Sequence, residues 1–88
     1  MQPLTGAQAG LVRVTVFLHS ILREKLPAEA RGQTTLNLPK GALVRDLLEQ
    51  FGLPPGTVWA VNEVQGRDPE RILEDGDVLR FLRPGAGG

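Results

Sequence analysis

The sequence has no cysteine, no long apolar run and no excess of charge of either sign, and each absence removes a class of function. Without cysteine, disulfides, thiolate zinc sites, cysteine-ligated iron–sulfur clusters and cysteine nucleophiles are excluded. Ten basic and ten acidic side chains balance, and Lys and Arg form no stripe of the kind that follows nucleic-acid phosphates. No apolar run approaches the ~20 residues that cross a bilayer.

Residues 1–10 carry neither the positive charge nor the apolar segment of a signal peptide. We therefore expect a cytoplasmic protein that binds neither nucleic acid nor a membrane. With 88 residues, the chain is long enough for one domain. We predict a disordered N-terminal tail over 1–10, a folded domain over 11–84 and a flexible tail over 85–88.

The hydrophobic periodicity alternates between period two and period 3.6 along the chain. Val12, Val14, Val16 and Leu18 share one face of a strand, and the spacing of Val44, Leu47, Leu48 and Phe51 gives a helix with one apolar stripe. Strands are predicted over 11–18, 34–38, 57–61, 64–67 (weak) and 78–82, a short helix capped by Ser20 over 21–26, and a helical turn over 69–73. These elements predict an α+β protein with a β-grasp (ubiquitin-like) layout, in which a mixed four- to five-stranded sheet wraps one main helix.

No conventional active site emerges from the polar residues. His19 is the only histidine and has no partner for a metal site, so we interpret it as a structural residue at a strand end. The acidic cluster Asp68, Glu70, Glu74, Asp75 and Asp77 matches no calcium loop and is interpreted as a solvated turn. The sequence predicts no enzyme, no metal site and no bound cofactor.

Two features point to binding. The chain given ends in Gly87-Gly88, and a segment without Cβ atoms can enter a narrow channel and present its carboxylate there. The alternation also predicts a docking patch on the sheet face away from the helix, although scattered exposed apolar residues are common. The patch residues are Phe17, Val58, Ala60, Arg80 and Leu82. Arg80 and Arg83 either position the tail or are solvated charges at a strand end.

From Leu11 to Gly88 the chain resembles the ubiquitin-like sulfur carriers of the MoaD/ThiS family. The resemblance is carried by residues in a common order: Val12-Arg13-Val14, Leu22-Arg23-Glu24, Leu38-Pro39-Lys40-Gly41-Ala42, Val44, Asp46-Leu47-Leu48, Val61-Asn62, Leu73, Asp75-Gly76-Asp77, Leu79, Phe81 and Gly87-Gly88. Three positions depart from the family pattern: Glu63 and Gly66 replace a usual glycine and a usual apolar residue, and Leu43 stands where a threonine would cap the helix.

The resemblance implies a mechanism in which this chain is a co-substrate and not an enzyme. An adenylating, E1-like activating enzyme would use ATP to adenylate the carboxylate of Gly88, and a persulfide sulfur donor would convert the adenylate to a thiocarboxylate. The carrier would then insert its tail (Pro84, Gly85, Ala86, Gly87 and Gly88) into the large subunit of a synthase. It would be a monomer when free and part of a hetero-oligomer with the synthase.

Within the family, the helical insertion after the first strand and the tail containing Pro84 are most similar to the small subunit of molybdopterin synthase. Three alternatives stay open: a thiamine-type (or other) sulfur carrier, a non-covalent β-grasp binding module similar to TGS domains, and a protein modifier conjugated to lysines through the same carboxylate.

Overall fold

The computed structural model describes residues 10–83. Within this range the chain forms five strands, one α-helix and two short 3₁₀ helices. In chain order these are β1 (Leu11–Leu18), the 3₁₀ helices Ser20–Lys25 and Ala28–Ala30, β2 (Gln33–Pro39), α1 (Val44–Gln50), β3 (Val58–Val61), β4 (Val64–Gly66) and β5 (Val78–Leu82).

All five strands form one mixed sheet in the order β2-β1-β5-β3-β4. β1 and β5 run parallel at its centre, and every other neighbouring pair is antiparallel. The inner face of the sheet packs with α1 into a single core. This is the predicted β-grasp architecture, with five strands.

The core follows the predicted periodicities. Val12, Val14, Val16 and Leu18 are at most 7% exposed, and Leu79 and Phe81 on β5 are fully buried. Val44 and Leu47 of α1 are fully buried as well, and partly buried hydrophobic residues extend the cluster at its edges: Leu26, Leu36, Leu48, Phe51 and Leu53. Alternation on the strands and the apolar stripe on the helix therefore meet in one core.

The segment after β1 differs from the prediction. Ser20 does not cap a helix: His19 occupies the N-cap position, no side chain caps this end, and Ser20 itself has a left-handed φ of 54°. The turns are 3₁₀ helices of six and three residues, and Leu22 anchors the first in the core. Short 3₁₀ helices are common as connectors between regular elements.

The predicted helical turn over 69–73 is wrong, and the reason lies at the start of α1. Residues 69–73 run alongside that start, with an isolated bridge between Leu43 and Ile72. The N–H groups of Val44 and Arg45 donate to the carbonyls of Arg71 (3.0 Å) and Pro69 (2.8 Å). Leu43 supplies no side-chain cap, and its own N–H donates to the Asp46 carboxylate at 2.8 Å. The loop backbone therefore satisfies amides that a capping side chain serves in other helices.

The two remaining departures from the family pattern have structural explanations. Asn62 and Glu63 both have positive φ (52° and 71°), so the β3–β4 hairpin adopts the geometry of a type I′ turn without the usual glycine. Gly66 lies opposite Trp59 in the register, and a Cβ there would overlap the indole ring. Gly66 is therefore required by the packing of Trp59.

Candidate functional site

The strand register brings together the five residues predicted to form a docking patch. Arg80 on β5 pairs with Phe17 of β1 on one side and with Ala60 of β3 on the other. Leu82 on β5 pairs with Val58 of β3. Directly paired residues point to the same face of a sheet, so all five lie on the face opposite the core. We call this group the outer-face patch. Val58 is 37% exposed, and the other four are partly buried.

Arg80 lies across the centre of the patch. Its guanidinium carbon is 4.4 Å from the centroid of the Phe17 ring, a cation–π geometry, and its Nε donates to the Glu63 carboxylate at 3.1 Å. Arg80 thus contacts Phe17 on β1 and Glu63 in the β3–β4 turn. Arg83, for which the sequence left open either a role in positioning the tail or a solvated charge, is exposed.

Two residues that the sequence analysis left out of the patch adjoin it. The ring of His19 stacks on Phe17, with centroids 6.3 Å apart and planes 22° from parallel, and its backbone N–H donates to the Phe81 carbonyl at 3.0 Å. Glu63 reaches the patch through Arg80. The alternation of β1, continued by one step past Leu18, is the signal that places His19 on this face; Glu63 has no such local signal.

The tail residues Pro84, Gly85, Ala86, Gly87 and Gly88 lie outside the described residues. What the structure gives is the place where β5 ends: Leu82 pairs with Val58, and Phe81 pairs with Leu18 at the end of β1. The outer-face patch therefore extends to the end of β5 from which residues 83–88 continue.

The acidic cluster at the other end of β5 is not a solvated turn throughout. Asp77 is 4% exposed and accepts hydrogen bonds from the Glu74 N–H (2.8 Å), Asn62 Nδ2 (2.8 Å) and Arg71 Nη1 (3.1 Å). Burial by itself raises the pKa of Asp77, but these hydrogen bonds and the Arg71 charge outweigh it, and the pKa lies below its ordinary value. Asp75 stays exposed and accepts from the Arg13 N–H at 2.8 Å.

Asn62 completes this network. Its Oδ1 accepts from the Val78 N–H (2.9 Å), while its backbone N–H donates to the Val78 carbonyl (2.8 Å). The residues Val61-Asn62 and Asp75-Gly76-Asp77, which carry part of the family resemblance, therefore fasten the β3–β4 turn to the start of β5.

Over residues 10–83, no group of three or more histidine or acidic side chains is arranged to hold a metal ion. In the same range no helix has the length and hydrophobicity needed to cross a membrane. A depression is formed by the 3₁₀ segment and the residues before β2, among them Arg23, Leu26, Arg31 and Gly32.

The sequence model of the ThiS family matches residues 22–88. The chain belongs to the ThiS family. Members of this family are small carrier proteins and not themselves enzymes.

Solved structures give the same architecture. A putative molybdopterin converting factor, subunit 1, from Pyrococcus furiosus is 27% identical (TM-score 0.65; 83% of this chain and 98% of that one). The Haloferax volcanii HVO 2177 protein is 18% identical (TM-score 0.71; 90% and 89%). The small archaeal modifier protein 1 from Methanosarcina acetivorans is 21% identical (TM-score 0.61; 89% and 98%). No curated protein sequence gives a significant match.

The family assignment and the fold are thus confirmed. The roles of Gly88, of residues 84–87 and of the outer-face patch stay predictions.

Proposed function

We propose that this ThiS-family protein is a sulfur carrier whose reactive group is the carboxylate of Gly88. An E1-like activating enzyme catalyses attack of that carboxylate on the α-phosphorus of ATP, which releases pyrophosphate and forms an acyl-adenylate. The persulfide of a sulfur donor attacks the acyl carbon and AMP leaves. This forms an acyl carbon–sulfur bond, and a thiol then cleaves the sulfur–sulfur bond that came from the persulfide, which leaves a thiocarboxylate on Gly88 and a disulfide on the donor side.

The observation that carries this proposal is the family match, which extends through residue 88 and includes Gly87-Gly88. Two glycines without Cβ atoms suit a segment that must enter a narrow catalytic channel of a partner. Members of the family are carriers and not enzymes, which suits a co-substrate. The cofactor requirement is therefore assigned to the partner: ATP is used by the activating enzyme and is not bound by the carrier.

We assign the outer-face patch to partner docking. It combines apolar residues (Phe17, Val58 and Leu82) with one arginine, and it reaches the end of β5 that precedes the tail. A partner that covers this patch would hold residues 83–88 close to its own surface. Aromatic and arginine side chains are also the residue types enriched in protein interfaces.

As the acceptor enzyme we propose molybdopterin synthase, with this chain as its small subunit. The name of the Pyrococcus furiosus protein supports this choice, as does the 3₁₀ insertion between β1 and β2. The carrier would be a monomer when free and would bind the synthase large subunit as a hetero-oligomer. A thiamine-type synthase that accepts the sulfur in its place would assign the chain to the other branch of the family.

Intact-mass spectrometry tests the central step. The purified chain is incubated with ATP, a persulfide donor and an activating enzyme, and we expect a mass increase equal to replacement of one oxygen by sulfur, located in the C-terminal peptide. Deletion of Gly88 should abolish it. Gly10→Ala is the matched control, because an added Cβ at Gly10 meets no atom within 4 Å.

Two other outcomes would redirect the proposal. If lysine-linked adducts of Gly88 accumulate in place of the thiocarboxylate, the chain is a protein modifier. If no activating enzyme changes the mass of the chain, it is a non-covalent binding module.

A further inference from the structure

We propose that the free edge of β2 binds an extended peptide segment of a partner protein by strand addition, at a site separate from the outer-face patch and the tail. β2 is an edge strand in the five-stranded sheet, paired only with β1 among the described residues. Seven consecutive residue pairs join the two strands without a bulge. An unpaired strand edge of this kind is a template for another strand.

The hydrogen-bond pattern identifies which groups are free. The Leu18 N–H donates to the Gly32 carbonyl (2.6 Å) and the Lys40 N–H to the Gly10 carbonyl (3.0 Å), and both pairs continue the β1–β2 register. In antiparallel strands, hydrogen-bonded pairs recur at every second residue. The β2 residues bonded to β1 are therefore Thr34, Leu36 and Leu38. The residues whose N–H and C=O groups face the free edge are Gln33, Thr35 and Asn37.

β2 lacks the features that protect edge strands. Proteins blunt such edges with charged side chains, proline or bulges. The strand has no charged residue, its only proline is the last residue, Pro39, and the side chains of Gln33, Thr35 and Asn37 are exposed. The opposite edge, β4, is only three residues long. β2 is thus the edge at which a partner strand has enough length to pair.

The basic residues near the two ends of β2 indicate which partner segment would bind this edge. The segment 20–41 carries Arg23, Lys25, Arg31 and Lys40 against Glu24 and Glu29. Arg31 and Lys40 stand at the two ends of β2, both are exposed, and neither forms an ion pair within residues 10–83. The depression that includes Arg23 and Arg31 lies at the Gln33 end of the strand. The fitting occupant is an extended segment with an uncharged middle and an acidic residue at each end.

The same charges disfavour a second copy of this chain. Antiparallel pairing of two β2 strands about their centres would bring Lys40 of each copy next to Arg31 of the other. Like charges at neighbouring cross-strand positions destabilise a sheet. The edge is therefore assigned to a different protein.

Hydrogen exchange with NMR detection tests the site. The probe is a capped peptide of alternating valine and threonine, matched in length to β2, with aspartates at both ends. We expect its binding to slow exchange at the Gln33, Thr35 and Asn37 amides and to leave the Thr34, Leu36 and Leu38 amides unchanged. No protection, or equal protection of both sets, overturns the proposal. The proposal is also overturned if the Gln33, Thr35 and Asn37 amides become protected without peptide as the protein concentration rises, and sedimentation shows a dimer.

Thr35→Pro and Thr35→Val form the matched pair of variants. Proline removes an N–H that faces the free edge and leaves the ladder to β1 intact, so peptide affinity should fall about tenfold. Valine keeps the N–H and should bind like the unmodified chain. If Thr35→Pro does not fold, a probe N-methylated at the amides that face β2 replaces it and should bind about tenfold more weakly.

A charge exchange completes the test. Lys40→Glu should shift the preference toward a peptide in which the aspartate at one end is replaced by lysine. Unchanged preference contradicts the assigned chemistry. Thiocarboxylation of Gly88 does not require this edge, so Thr35→Pro should still be converted, and the two proposals can fail independently.

Discussion

The two ends of β5 are held in different ways. At the start of the strand, Asp77 is buried and receives three hydrogen bonds, one from the Arg71 side chain, while Asn62 pairs with Val78 through both backbone and side chain. At the other end, the Phe81 carbonyl accepts one backbone bond from His19, and Arg80 is held by a cation–π contact and one exposed acceptor.

This difference indicates that the residues shared with the family have different roles at the two ends of β5. Asn62 and the Asp75–Asp77 turn have a structural explanation in the hydrogen bonds that they form. The end that leads to the tail is held by fewer polar contacts, and its outer face is open to a partner. Changes at the first end should therefore alter stability, and changes at the second should alter binding.

Asp77→Ala should have the largest effect on stability. It leaves the Glu74 N–H, the Asn62 amide and Arg71 without their buried acceptor, and the loss of a buried charged partner costs about 3 kcal/mol of unfolding free energy. Urea unfolding followed by circular dichroism measures it. The control Asp75→Ala removes one exposed acceptor and should cost about 1 kcal/mol or less. Equal losses in the two variants would contradict the account of this network.

Asn62→Gly separates the side-chain bonds of the turn from its backbone conformation. Glycine tolerates the left-handed φ, so only the bonds to Asp77 and Val78 are lost, at about 1–2 kcal/mol. Glu63→Gly in the same turn is the control. It relieves about 1 kcal/mol of backbone strain and loses a surface ion pair of similar or smaller value, so stability should change little. A cost at Glu63 as large as at Asn62 would show that turn geometry, and not the side-chain network, dominates.

The lowered pKa of Asp77 predicts a pH dependence of stability. A carboxyl with a depressed folded-state pKa contributes stability that is fully present above its ordinary pKa and is lost as the pH falls through the folded-state value. The unfolding free energy should therefore drop on acidification, and Asp77→Asn should flatten this dependence. Thermal unfolding across the acidic range measures both proteins; identical profiles would assign the acid sensitivity to other carboxylates.

Arg80→Ala should have only a small effect on stability, about 1 kcal/mol or less, because its partners are a partly exposed ring and an exposed carboxylate. Its effect on binding to the activating enzyme should be larger, about tenfold, as for an arginine within an interface. Surface plasmon resonance measures the affinity of Arg80→Ala for the activating enzyme. The control is Arg67→Ala, which removes an exposed arginine outside the patch and should leave the affinity unchanged. Unchanged affinity of Arg80→Ala would remove the outer-face patch from partner docking.

The sequence predicted those parts of the fold that depend on local periodicity. Alternation from Val12 to Leu18 identified the inner face of β1, the spacing of Val44 and Leu47 identified the buried side of α1, and the same alternation placed Phe17, Arg80 and Leu82 on the outer face. Each of these depends on residues that are close in the chain.

The features that the sequence did not predict depend on contacts between distant residues. Residues 69–73 were expected to be helical, but Ile72 among them pairs with Leu43 at the start of α1. Gly66 suggested only an interrupted strand, and its role depends on the Trp59 ring across the hairpin. Asp77 looked like one carboxylate of a solvated turn until Asn62 and Arg71 were brought against it. The predicted flexible tail, residues 85–88, and Pro84 before it lie beyond the part of the chain that the structure describes.

Because Trp59 packs against Gly66, its intrinsic fluorescence can report on the contact between β3 and β4. Trp59 is the only tryptophan in the chain, and the residue is 9% exposed next to the edge strand β4. Its fluorescence should shift to longer wavelength when β4 separates from β3, since water then reaches the ring. β4 and β2 are opposite edges of the sheet, so peptide binding at β2 should leave the emission unchanged, and the same signal can report unfolding in every variant described above.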